Sequence, residues 1–270
     1  MRSVSRVTVV AAAAAAVFVA GAWWHGVTWS DVRHWGTPRN VIEAEGEAVR
    51  IPLPQGETER IRPRVTALTA GAYEFLFPTG GAGGGPVRYD PCREVEWVIA
   101  DHLMPDGVEP LVHAAVARVQ EATGLAFAYE GYTDEPVSFD RALIQERYGD
   151  RFAPVLLGFQ NEAQNPDLKG SVTGLGGSSA VPGAYGDEMW LRAGVVTLDF
   201  EDLAGILRNE SDGAALAEAV IAHELAHVVG LAHVADTSEL MHESNLRLLD
   251  WGDGDLAGLA VAGSGACEDV

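Results

Sequence analysis

The spacing of apolar positions changes several times along the chain. From Val7 to Trp24 they run on without a charge. Residues 25–79 are mixed, with Val65 to Phe77 reading as a strand or two. The run Gly80-Gly81-Ala82-Gly83-Gly84-Gly85-Pro86 reads as a flexible linker. From Val87 onward the pattern is that of a packed domain. Short β-rich runs predict strands at Val95–Ala100, Leu125–Tyr129, Val155–Phe159 and Val195–Phe200. Val108, Leu111, Val112, Ala115, Val116 and Val119 recur at helical spacing and predict a helix over Val108–Thr123, ended by Gly124. Asp140–Tyr148 suggests a short surface helix, and residues 170–187 a long Gly/Ser loop. Ser211 or Asp212 can cap a helix from about Ala214 to Val229, and a last helix spans about Asp255 to Ala262. Strands and helices in this order predict an α+β fold. Three parts follow: residues 1–24, an N-terminal segment with its Gly-rich run over residues 25–86, and a main domain over residues 87–270.

Arg2 and Arg6 precede the apolar run, and Ala20-Gly21-Ala22 offers a small-residue cleavage site, so residues 1–24 read as a secretory signal. The alternative is an uncleaved anchor with Trp23 and Trp24 at the membrane interface. Either puts the remainder outside the cytoplasm, secreted or held at the cell envelope. There the two cysteines, Cys92 and Cys267, are expected to pair and to close a very long loop. The net charge of −21 repels phosphate backbones and argues against a nucleic-acid partner. The many acids make calcium conceivable, but no EF-hand loop is present and no calcium site is assigned.

The chemistry lies in one run, H-E-L-A-H-V-V-G-L-A-H, from His223 to His233. Two histidines four residues apart share a helix face and can hold one ion of Zn2+. Glu224 stands beside them, where it can move the protons of a water on the metal. Gly230 can leave the helix with positive φ and return His233 as a third nitrogen ligand. Three protein ligands with one open position is the catalytic pattern; structural zinc is closed by four.

This signature resembles that of the metzincin zinc endopeptidases. Met241, eight residues after His233 in the run Ser238-Glu239-Leu240-Met241, looks like their Met-turn. Tyr89-Asp90-Pro91-Cys92, Gly176-Gly177-Ser178-Ser179, Val196-Thr197-Leu198-Asp199 and Asp255-Leu256-Ala257-Gly258-Leu259 look like the matrixin-like branch found in bacterial secreted proteins. The resemblance implies a zincin fold: a twisted, mostly parallel sheet, two helices above a cleft, and a small irregular C-terminal subdomain. It also implies an edge strand that binds extended substrate by β-addition, for which Val196, Thr197 and Leu198 are the candidates. Glu243 stands where astacin-like members carry a tyrosine ligand, no histidine lies between His113 and His223 for a second zinc, and no cysteine-switch motif is present.

The reaction these residues point to is peptide-bond hydrolysis, with Glu224 as general base and a protein or peptide as substrate. A second reading is a non-catalytic zinc-binding surface protein that grips peptides, although binding alone needs no general base at position 224. A third is an envelope-anchored interaction protein with residues 25–80 as a stalk.

Overall fold

The computed structural model describes residues 27–44, 46–55, 58–67, 70–209, 211–244 and 247–269; the apolar N-terminal run lies outside these. In chain order the elements are α1 (Trp29–Arg33), β1 (Val41–Ala44), β2 (Glu47–Arg50), β3 (Glu74–Phe75), β4 (Glu94–Ala100), α2 (Glu109–Thr123), β5 (Ala126–Tyr132), β6 (Val155–Gln160), β7 (Gly174–Pro182) and β8 (Met189–Asp199). They continue with α3 (Phe200–Asn209), α4 (Gly213–Val228), β9 (Leu231–Ala232) and α5 (Asp253–Ala262). Among the described residues no helix is long and apolar enough to cross a membrane.

The central sheet has the order β5-β4-β6-β8-β7. The first four strands are parallel, and β7 runs antiparallel to β8. This is an α+β chain with a mostly parallel sheet. Alternation places Val95, Trp97 and Ile99 of β4, Val155, Leu157 and Phe159 of β6, and Val196 and Leu198 of β8 on the face that carries the helices. Val112, Val116 and Val119 of α2 and Ile221, Leu225 and Val228 of α4 complete that core. The other face, with Val98, Ala100 and Leu156, is closed by Val137 from the loop after β5. Helix α4 is apolar nearly all round because it is covered on every side: Leu216, Ala217 and all residues from Ala219 to Val228 are buried.

The edge-strand expectation is corrected. Val196, Thr197 and Leu198 belong to β8, which pairs with β6 on one side and β7 on the other. Two-sided pairing buries all three residues, and the Thr197 hydroxyl donates to Gln160 Oε1 (2.9 Å). The sheet ends in β5 on one side and β7 on the other, and the edge beside α4 is β7, in the stretch read as a loop. Its glycines and serines gave no β signal, because packing against a helix, not propensity, makes it a strand.

Two further elements differ. Asp140–Tyr148 forms only a 3-10 turn at Glu146–Tyr148. The Arg141 guanidinium donates to both carboxylate oxygens of buried Glu135 (2.7 and 2.6 Å), and Gln145 Nε2 (2.6 Å) and the Tyr148 hydroxyl (2.7 Å) donate to the same carboxylate. Converging on one buried acid takes precedence over helical pairing. After β8, Asp199 Oδ1 accepts the Glu201 and Asp202 amides (2.9 and 3.0 Å) and starts α3, a helix absent from the sequence reading.

The described residues of the N-terminal segment make contacts with the main domain. The Arg60 guanidinium donates to the Gly263 carbonyl (2.8 Å) and Asn40 Nδ2 to the Gly183 carbonyl (2.9 Å). The Gly-rich run is a hydrogen-bonded turn, not a free linker: the Met189 amide donates to the Gly80 carbonyl (2.8 Å) and the Val87 amide to the Phe77 carbonyl (2.9 Å). Cys92 and Cys267 form a disulfide with a Cα–Cα distance of 5.4 Å, joining the lead-in to β4 to the C-terminal tail.

Candidate metal centre

Helix α4 brings His223 and His227 to one face, one turn apart. It stops at Val228, and Gly230 takes a φ of 106°, a conformation that costs a side-chain-bearing residue dearly. The chain then enters β9, which pairs antiparallel with β3: Phe75 lies opposite Leu231 and Glu74 opposite Ala232. The Leu76 amide donates to the Gly230 carbonyl (2.9 Å). The turn that carries His233 is therefore held by the N-terminal segment, a role the sequence reading did not assign to residues 74–76.

The three Nε2 atoms converge. His223 to His233 is 3.1 Å, His227 to His223 is 3.2 Å, and His227 to His233 is 3.0 Å. A tetrahedral zinc with bonds of about 2.0–2.1 Å separates its nitrogens by about 3.3–3.4 Å, so displacements of a few tenths of an ångström would seat the ion. Among the described residues the only other metal-competent cluster is Asp90, Cys92 and Cys267, whose two sulfurs are bonded to each other.

The far side of two rings is fixed. His223 Nδ1 lies 2.6 Å from the Leu240 carbonyl oxygen and His227 Nδ1 lies 2.8 Å from that of Leu231. A carbonyl only accepts, so each Nδ1 carries the proton and each Nε2 presents its lone pair inward. Burial pushes His223 down to about 4 and His227 down to about 3, so both rings are neutral near pH 7. His233 is lowered too, chiefly by desolvation, and stands at the solvent rim.

Glu224 is 7% exposed, and desolvation raises its carboxyl to about 8. A cation among the adjacent imidazoles would favour its carboxylate form. Strand β7 passes close to it. A methyl group at position 174 would come within 2.8 Å of Glu224 Cγ, and one at 176 within 2.1 Å of the Glu224 carbonyl oxygen. Two residues on, the Ser178 hydroxyl donates to the Val228 carbonyl (2.8 Å) and lies 2.9 Å from the buried Tyr89 hydroxyl. The alternate small residues 174, 176 and 178 thus let the helix that carries the base press on the edge strand.

Met241 is buried, with its carbonyl accepting the Val234 amide (3.0 Å). The Asp255 carboxylate accepts the Leu240 and Met241 amides (2.5 and 3.2 Å), and Glu239 accepts the Gly254 and Asp255 amides (2.9 Å each). Neither acid was singled out for a role at the site. The spacing between them gives no signal, since the contact closes across an irregular loop.

No family model matches this chain, and no curated protein matches it. Among solved structures, the GM1-bound form of the ECX AB5 holotoxin is similar at 11% identity, covering 65% of this chain and 82% of that one, with a TM-score of 0.37. Archaemetzincin (amzA) from Methanopyrus kandleri is similar at 16% identity, covering 65% of this chain and 88% of that one, with a TM-score of 0.31. At such scores neither likeness bears on the centre, whose reading rests on three imidazoles aimed at one point beside a buried carboxylate.

Proposed function

We propose that this chain is a zinc-dependent endopeptidase of the metzincin type, matrixin-like, acting outside the cytoplasm as a secreted or surface-held enzyme. The observation that carries the reading is the convergence of the His223, His227 and His233 Nε2 atoms within 3.2 Å of one another, with two of the rings held by backbone carbonyls. These three residues would hold the ion. A zinc ion there supplies Lewis-acid polarisation and acidifies water.

The chain's own residues supply the rest. Glu224 takes the proton of the attacking water and returns it to the leaving amine. Its buried setting favours uptake of that proton, because desolvation disfavours the bare carboxylate. The free edge of β7 offers main-chain donors and acceptors to an extended peptide, and its glycines lie against Glu224, so a peptide added there would run past the base. Recognition through main-chain groups suits an enzyme with little sequence demand. Hydrolysis of casein by the purified chain, abolished by a chelator and restored by zinc, tests the reading; hydrolysis that persists in chelator refutes it.

A further inference from the structure

Helix α1 is short and sided. Thr28 caps it, with its amide donating to Asp31 Oδ2 (2.6 Å) and its hydroxyl accepting the Asp31 amide (3.3 Å). One side docks on the main domain through Tyr185, in the connection between β7 and β8. The Tyr185 hydroxyl donates to Asp31 Oδ1 (2.8 Å), and its ring stacks on His34 with centroids 4.1 Å apart. The opposite side carries Trp29, Val32 and Arg33, which line one pocket. Trp29 is 87% exposed and Val32 45%, and Trp35 in the following turn is 79% exposed. Two nearly bare indoles, one on a helix fixed to the domain and one in the turn after it, are not leftover core. The uncharged run from Val7 ends at Trp24, five residues before Trp29.

We propose that Trp29, Val32 and Trp35 form a patch that lies in the interfacial layer of a lipid bilayer. Indole rings favour that layer. Where the apolar run stays uncleaved it supplies the attachment that brings the patch there, since three side chains alone hold a protein only weakly. Because Asp31 and His34 tie α1 to Tyr185, the bilayer would set the orientation of the whole domain and of edge strand β7. The inference is independent of whether the centre cleaves peptides.

The test uses the full chain on vesicles of phosphatidylcholine and phosphatidylglycerol. Val32→Cys is labelled with an environment-sensitive fluorophore, and Glu121→Cys, exposed on α2, serves as the control. The expected result is blue-shifted emission at position 32, quenched by lipids bearing a nitroxide near the headgroup, with position 121 unaffected. Emission typical of water at position 32 overturns the proposal. So does a blue shift without nitroxide quenching, which would mean that a second copy or the chain's own N-terminus covers the patch.

Discussion

The Glu239 and Asp255 carboxylates each hold the backbone of the other's segment. The Glu239 carboxylate accepts the amides of Gly254 and Asp255, and the Asp255 carboxylate accepts those of Leu240 and Met241. The Leu240 carbonyl in turn faces His223 Nδ1 at 2.6 Å. The N-terminus of α5 is thus two hydrogen bonds from a candidate metal ligand. Asp255→Asn removes charge from this clamp while keeping its size. Zinc affinity is expected to fall roughly 10–100-fold, as for other groups that orient a ligand. Competition with a fluorescent chelator measures it; unchanged affinity would show that the clamp serves folding alone.

Glu224→Gln keeps the side-chain volume that β7 packs against. The variant is expected to fold and to bind zinc as before, but to lose about 100-fold or more in kcat. Casein cleavage at the parental rate would refute the assignment of the base.

His227→Ala removes a buried ligand whose ring is fixed by Leu231. The purified variant should retain little zinc by elemental analysis, and full occupancy would remove His227 from the ligand set.

Gly176→Ala and Gly177→Ala separate space from propensity. A methyl at 176 meets the Glu224 carbonyl oxygen at 2.1 Å, whereas one at 177 meets only Phe139 Cε1 at 3.8 Å. The first should cost about 1–3 kcal/mol and lower activity by displacing α4; the second should be nearly silent. Equal melting temperatures for the two variants would contradict the packing described.

In the metal-free chain, the combined contribution of His223, His227 and Glu224 to stability should be greatest near pH 6.5. His223 and His227 fall from the ordinary 6.5 to about 4 and about 3, so both take up protons more readily when unfolded. Their contribution is present above 6.5 and is lost as pH falls through the folded values. Glu224 rises from 4.5 to about 8, so its contribution is present below 4.5 and is lost as pH rises through 8. Between 4.5 and 6.5 the two histidines outweigh the single acid by a net proton, a slope of about 1.4 kcal/mol per pH unit. Above 6.5 the slope reverses. Melting temperatures in EDTA check this; a steady climb from about pH 5 to pH 8 would contradict the sign assigned to Glu224.

The elements legible in the sequence were those whose signal is local. The period of α2 and α4, the apolar runs of β4 and β6, and the spacing of His223, His227, Gly230 and His233 are all set by the chain within one or two turns. Strand β7 was not legible, because its residues are small to admit a helix from elsewhere. Nor was the 3-10 turn at Glu146–Tyr148, where a buried carboxylate decides the path of the chain.

The sequence by itself determined the chemistry: three imidazoles, one carboxylate and a turn residue at fixed spacing, because ligand identity and helical period are properties of the local chain. Only the tertiary structure decided which strand forms the sheet edge beside α4, that β3 holds the turn bearing His233, and that Asp255 fixes the loop behind His223. Those choices depend on which backbone groups are left to be satisfied once distant segments pack together, and no window of sequence contains both partners.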